Sequence, residues 1–120
     1  MVKVFIGGLF GPSYEVFSDG VTLRYKTADG MLELEKTSGV RLTPSLQQWK
    51  QFRQALDQAG AWKWEGRYVR EDIHDGTSWY VVVADGPNRT ISSYGGNAYP
   101  EGFEEVLAAT RALIGGGDFR

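Results

Sequence analysis

The chain of 120 residues contains no cysteine, and this absence excludes a disulfide framework and metal sites built from thiolates. Its apolar runs fall far short of the roughly 20 residues that a membrane-spanning helix needs. The apolar patch at Val2–Ile6 is too short for the central region of a signal peptide. We therefore expect a cytoplasmic protein without a membrane anchor.

The chain also lacks a strong excess of charge of either sign. Its 13 basic and 15 acidic side chains give a formal net charge of −2, and no basic stripe is visible in the linear sequence. A protein that binds nucleic acid through its phosphates normally shows such a stripe. The hydrophobic fraction of 42% and the charged fraction of 23% are ordinary for a soluble globular chain. The length predicts a single domain over residues 1–120.

No arrangement of residues typical of catalysis is visible. The chain offers no cysteine nucleophile, and its single histidine, His74, has no serine in an elbow-like context. The densest cluster of potential metal ligands comprises Glu71, Asp72, His74 and Asp75. Its place beside a glycine turn favours the solvated end of a hairpin over a metal site. We predict a non-enzymatic protein with no metal and no cofactor.

The chain repeats its turn residues at one constant spacing. Asp19-Gly20 and Asp29-Gly30 in the first half match Asp75-Gly76 and Asp85-Gly86 in the second. At the same offset, three further pairs of glycines or prolines coincide: Gly39 with Gly95, Pro44 with Pro100 and Gly60 with Gly116. The spacing predicts an internal pseudo-repeat of residues 1–60 and 61–117. Duplication would produce it, and so would independent use of the same turn and cap residues.

Alternation of apolar and polar residues predicts strands on both sides of these turns. The predicted strands are Val2–Ile6, Tyr14–Phe17, Val21–Thr27 and Met31–Lys36 in the first half, and Trp62–Glu65, Arg67–Ile73, Ser78–Ala84 and Arg89–Tyr94 in the second. In the third strand, Arg24 and Lys26 share the polar face. Trp79–Val83 is apolar on both faces, which predicts either a central strand covered twice or a face that awaits a partner.

Two amphipathic helices are predicted after the strands. For the first, Thr43 is the candidate N-cap and Pro44 the first helical residue, and Gly60 is the stop. Its apolar stripe comprises Leu46, Trp49, Phe52, Leu56 and Ala59. The second helix is predicted to end at Gly115-Gly116-Gly117. The side chains expected to face the core are Phe103, Val106, Leu107, Thr110, Leu113 and Ile114. We predict an α+β fold of two similar strand-strand-(strand)-helix halves, with an antiparallel sheet and two helices packed on it.

The segment from Trp49 to Leu113 resembles a widespread group of uncharacterised bacterial proteins. The resemblance is carried by Trp49, Leu56, Gly60, Trp62, Trp64, Tyr68, Asp75-Gly76, Trp79, Asn97-Ala98-Tyr99-Pro100 and Phe103. It implies a small, free-standing bacterial protein and supplies no activity.

Two further resemblances concern nucleic acid. Successive strand-then-helix units are similar to Whirly and PUR-repeat proteins, which bind single strands through basic grooves and exposed aromatics. Lys3-Val4-Phe5-Ile6-Gly7-Gly8-Leu9 looks like the first signature strand of RNA-recognition-motif domains, in which Phe5 would stack on a base. That family next requires a helix, and strand patterning follows instead, so an edge strand with a glycine loop is favoured.

We predict a small binding module that recognises a protein partner of the immunity, inhibitor or accessory type. The contact residues are expected to be Tyr80, Tyr94, Asn97 and Tyr99, because half-exposed tyrosines serve interfaces well. The alternative function is the binding of single-stranded DNA or RNA on the sheet. An exposed strand or the apolar face of Trp79–Val83 would also allow a homodimer.

Overall fold

A computed structural model of the chain describes residues 1–18, 22–70, 76–87 and 89–120. The strands within these ranges are β1 Val2–Gly7, β2 Pro12–Ser18, β3 Leu23–Asp29, β4 Val40–Leu42, β5 Arg67–Val69, β6 Ser78–Ala84 and β7 Thr90–Gly96. The helices are α1 Met31–Lys36, α2 Leu46–Ala59 and α3 Phe103–Leu113, with a short 3₁₀ helix at Ala61–Lys63.

The strands form one sheet in the order β4-β3-β2-β1-β6-β7-β5. Every pair is antiparallel except β5 and β7, which are parallel. The predicted α+β class is therefore confirmed. The two halves nevertheless pair their strands differently: β2, β3 and β4 follow one another in the sheet, whereas β5 pairs with β7 and not with β6.

The hydrophobic core lies between one face of the sheet, here called the inner face, and helices α2 and α3. From the sheet it includes Val2, Val4, Ile6, Val16, Leu23, Trp79, Val81, Val83 and Ile91. From the helices it includes Phe52 and Leu56 of α2 and Phe103, Val106, Leu107 and Leu113 of α3. The inward face predicted for the second helix is confirmed, because all six of its residues are buried.

The opposite face of the sheet, here called the outer face, carries the third helix. Helix α1 packs against β2 and β3, and its Leu34 is buried while Leu32 is 60% exposed. The prediction of a strand at Met31–Lys36 is wrong. Methionine, leucine, glutamate and lysine all favour helix, and two alternating leucines were too short a pattern to outweigh that preference.

The beginning of α2 also differs from the prediction. The N-cap is Ser45 and not Thr43, and Ser45 forms a capping box with Gln48, with hydrogen bonds of 3.1 Å and 2.8 Å between their backbone N–H groups and side-chain oxygens. Pro44 precedes the helix, and Leu46, expected in the apolar stripe, is 88% exposed. The predicted stop is confirmed, because Gly60 has the left-handed φ of 70° that glycine adopts without strain.

The prediction of a strand at Trp62–Glu65 is wrong, because a 3₁₀ helix at Ala61–Lys63 occupies the start of this segment. The 3₁₀ turn sends the two rings to different neighbours. Arg89 lies over the Trp62 ring, 4.4 Å from its centroid, whereas Trp64 packs edge-on against Trp79 at 6.1 Å. The predicted strand Arg67–Ile73 is observed as Arg67–Val69, and residues 71–75 lie outside the described ranges.

Trp79 is the centre of an aromatic cluster on the inner face. Four rings surround it, those of Trp64, Tyr68, Tyr99 and Phe103, at centroid distances of 6.1, 6.1, 6.4 and 4.8 Å. Its indole N–H donates a 2.8 Å hydrogen bond to the carbonyl oxygen of Ala98. Gly95, its neighbour across the β6–β7 pair, leaves the space that the indole fills.

We predict that Gly95→Ala destabilises the protein while Gly96→Ala does not. A Cβ at position 95 would lie 2.5 Å from Nε1 of Trp79 and closer still to the Tyr68 carbonyl oxygen, whereas one at position 96 meets nothing within 4 Å. Overpacking of this kind costs about 1–3 kcal/mol of the free energy of unfolding, measured by urea denaturation with tryptophan fluorescence. Equal stability of the two variants would contradict this description of the core.

Candidate functional site

The structure does not bring the four predicted contact residues together on one surface. Tyr80 and Tyr94 are direct neighbours across the β6–β7 pair and both lie on the outer face. Tyr80 is half-buried, whereas Tyr94 is 53% exposed. Tyr99 lies on the inner side, where its ring contacts Phe103 at 4.8 Å and the Arg120 guanidinium lies 5.3 Å from the ring centroid.

Asn97 has a structural environment at the end of β7. Its φ of 58° lies in the left-handed region, which asparagine tolerates better than most residues. Its side-chain oxygen accepts a 3.0 Å hydrogen bond from the Thr77 N–H, and its own N–H donates a 3.0 Å bond to the Thr77 carbonyl. These bonds close the end of the β6–β7 pair, so Asn97 does not share a surface with Tyr80.

The outer face gathers cationic side chains from four strands and from both halves of the chain. They are Lys3 of β1, Arg24 and Lys26 of β3, Arg41 of β4 and Arg67 of β5, placed by the pairing of Arg24 with Arg41, Lys26 with Glu15 and Arg67 with Tyr94. Glu15 of β2 is the single carboxylate among the described strand residues that point outward. Five of the 13 basic side chains of the chain therefore lie on this face.

Aromatic rings lie between these cations. Phe17 pairs with Arg24 on one side and with Lys3 on the other. The ammonium of Lys26 lies 5.6 Å from the centroid of the Phe17 ring, and that of Lys3 lies 5.5 Å from the centroid of the Tyr80 ring. Such cation–π contacts hold long side chains close to the sheet.

Part of this basic surface was predictable from the sequence, because the alternation of residues in β3 places Arg24 and Lys26 on one face. The other cations could not be assigned to this face from the sequence, because they lie far apart along the chain. Only the strand order brings β1, β4 and β5 into the same sheet as β3. A basic surface assembled across a sheet leaves no basic run in the sequence.

A groove of about 340 Å³ separates α1 from the middle of the outer face. It is lined by Lys3, Phe5, Glu15, Lys26, Met31, Leu34, Glu35 and Tyr80. The Phe5 ring is buried and stacks on Tyr80 at 5.1 Å, so Phe5 is not available to stack on a base as the signature-strand resemblance would require. Val82, beyond Tyr80 on β6, is half-buried, so the outer face of this strand is partly covered.

The hydroxyl of Tyr80 donates a hydrogen bond to the carboxylate of Glu15. Burial, this hydrogen bond and the charge of Glu15 together raise the pKa of Tyr80 well above its ordinary value. Tyr80 therefore stays protonated in the folded protein and fixes one oxygen of Glu15. The second carboxylate of the groove belongs to Glu35, which is exposed on α1.

The remaining predicted sites add little. The cluster Glu71, Asp72, His74 and Asp75 lies outside the described residues, as does the Asp19-Gly20 turn. Within the described ranges, no group of three or more histidine or carboxylate side chains could hold a metal ion. Among the helices described, none is long and apolar enough to cross a membrane. Comparisons with protein-family models, with curated proteins and with solved structures found no match.

We predict that Tyr80→Phe removes part of the alkaline instability of the protein. Above the ordinary tyrosine pKa of about 10, the unfolded chain releases the Tyr80 proton while the folded protein keeps it, so the free energy of unfolding falls by up to about 1.4 kcal/mol per pH unit for this group. The contribution is complete below that pH and is lost as the pH rises toward the folded-state pKa.

The measurement is urea unfolding between neutral and strongly alkaline pH, with Tyr94→Phe as the matched control on the adjacent strand. At neutral pH, Tyr80→Phe should cost on the order of 1 kcal/mol, because a partly buried hydrogen bond to a carboxylate is lost. An alkaline decline as steep in Tyr80→Phe as in the unchanged protein would refute the assignment.

Proposed function

We propose that the protein is a binding module for single-stranded nucleic acid and that the outer face is its binding surface. The observation that carries this proposal is the gathering of Lys3, Arg24, Lys26, Arg41 and Arg67 on one face of the sheet, together with the half-buried rings of Phe17 and Tyr80 and the exposed ring of Tyr94. Single strands are bound by the same combination, in which cations track the phosphates and rings stack on the bases.

The spacing of the strands supports a ligand that runs across the sheet. Neighbouring strands lie about 4.8 Å apart, and two adjacent rows of side chains cross the outer face. One row runs from β4 to β1 and consists of Arg41, Arg24, Phe17 and Lys3. The other runs from β3 to β5 and consists of Lys26, Glu15, Phe5, Tyr80, Tyr94 and Arg67. Unpaired bases can stack on the exposed ring of Tyr94 and on the half-buried ring of Phe17, whereas the bases of a duplex are stacked and unavailable. This favours a single strand over a double helix.

Exposed carboxylates lie at the start of α3, on the helical side of the protein. Helix α3 carries Glu104 and Glu105 in its first turn, with Glu101 just before it, and all three are exposed. These carboxylates disfavour the approach of a polyanion to the start of α3, although the helical side also carries cations such as Lys50 and Lys63.

The prediction of a protein partner stays a prediction. Its contact residues divide between the outer face, with Tyr80 and Tyr94, and the inner side, with Tyr99. An acidic protein segment would satisfy the same cations, so the experiment must distinguish the two classes of ligand.

We predict that Lys3→Ala/Lys26→Ala weakens binding to labelled single-stranded oligonucleotides by on the order of tenfold at low salt. It should also reduce the slope of log affinity against log salt by about 1.4, since each phosphate contact on a single strand contributes about 0.7. Fluorescence anisotropy at several salt concentrations gives both values. The matched control is Lys50→Ala/Lys63→Ala, which removes the same charge from exposed positions of α2 and the 3₁₀ helix.

Equal losses of affinity in the two double variants would show that binding depends only on net charge. Such a result would contradict the proposal that the outer face is the binding surface. Absence of binding at low salt with micromolar protein would overturn the proposal. In that case, retention of one specific protein from a native lysate, lost in Lys3→Ala/Lys26→Ala, would assign the same face to an acidic protein partner.

A further inference from the structure

The groove between α1 and the outer face has the volume and the mixed apolar and charged lining of a small ligand pocket. Its volume of about 340 Å³ lies at the small end of the roughly 300–1,000 Å³ that ligand pockets occupy. Met31 and Leu34 of α1 form an apolar wall, and the half-buried ring of Tyr80, on which the buried Phe5 ring stacks, lies on the sheet side. A flat ring inserted between the two would be in contact with apolar atoms on both faces.

The polar groups of the groove are arranged as an acceptor beside a donor. Glu15 and Lys26 are direct cross-strand neighbours, yet no ion pair joins them among those of the described residues. The Lys26 ammonium instead lies near the Phe17 ring, and the Glu15 carboxylate accepts the Tyr80 hydroxyl. Because each carboxylate oxygen has two lone pairs, Glu15 retains acceptor sites toward the groove.

We propose that this groove binds a guanine base of the single strand and that Glu15 determines the specificity. The Watson–Crick edge of guanine places two N–H donors, N1 and N2, beside the acceptor O6. A carboxylate accepts from the two donors in the manner of a bidentate pair, and a lysine ammonium donates to the oxygen. Glu15 with Lys26 or Lys3 supplies these groups in one groove.

The other bases match this groove less well. Thymine and uracil present a single N–H between two acceptors, which would face the carboxylate with like partial charge. Adenine and cytosine offer one amino group each beside a ring acceptor. A site built to pair with two donors discriminates strongly against a base that lacks one of them, because the unpaired carboxylate stays desolvated.

This inference rests on the proposed function, and its test separates the two. Anisotropy would compare oligothymidylate with the same oligonucleotide carrying one central guanosine, adenosine, cytidine or inosine. Guanosine should raise the affinity by at least about fivefold, the lower limit for a bidentate base contact. Inosine, which lacks the N2 amino group, should lose most of this gain.

Glu15→Gln is the diagnostic variant. It keeps the shape of the side chain but replaces one of the two acceptor oxygens with an NH₂ donor. The side chain can then no longer pair side by side with N1–H and N2–H, so the guanosine preference should disappear. Binding to plain oligothymidylate should persist or strengthen, because a negative charge has been removed from the binding surface. Glu101→Gln, exposed on the helical side, is the charge-matched control and should retain the preference.

Binding of all oligonucleotides with equal affinity would overturn the guanine pocket and leave the proposed function standing. Binding of none would overturn both. A guanosine preference that survives in Glu15→Gln would remove Glu15 from the site. Guanosine monophosphate that binds as tightly as the guanosine-containing oligonucleotide would show that the groove serves a free nucleotide, which would overturn the assignment to a strand.

Discussion

The insertion of the Trp79 indole into the space left by Gly95 is the constraint on which the rest of the structure depends. The indole occupies the place of a missing Cβ, bonds to the Ala98 carbonyl and is enclosed by four other rings. This arrangement fixes the register of β6 against β7 and draws the chain before α3 onto the inner face. Strand register is decisive here, because a shift of one residue would exchange the two faces of the sheet and would bury Tyr80 and Tyr94 in the core.

The same aromatic cluster explains the role in the fold of several residues on which the resemblance to uncharacterised bacterial proteins rests. Trp64, Tyr68, Trp79, Tyr99 and Phe103 all belong both to that pattern and to this cluster. Asn97, also in the pattern, closes the end of the strand pair. These residues specify packing and strand termination. The pattern therefore describes the scaffold, and the candidate binding surface lies on the opposite side of the sheet, where none of these residues contributes.

Much of the fold was accessible from the sequence, since the core-facing residues of α3 and the glycine stop of α2 follow from periodicity and cap chemistry. The errors occurred where local patterns compete. Met31–Lys36 contains strong helix formers, but its apolar and polar residues alternate, and this alternation led to the wrong prediction of a strand. The candidate site was less accessible, because Lys3, Arg41 and Arg67 join the basic pair of β3 only through the strand order. Long-range pairing depends on the whole core and cannot be obtained from one strand alone.

We propose that the outer face is the binding surface and that the helices on the inner face support it. The most direct test is to map amide chemical shifts of the isotopically labelled protein by NMR during titration with a single-stranded oligonucleotide containing guanosine. The account predicts that the shifts concentrate at Lys3, Phe17, Lys26 and Tyr94 and along α1, with α2 and α3 nearly unchanged. Shifts concentrated on α2 and α3, or no shifts at low salt, would contradict it.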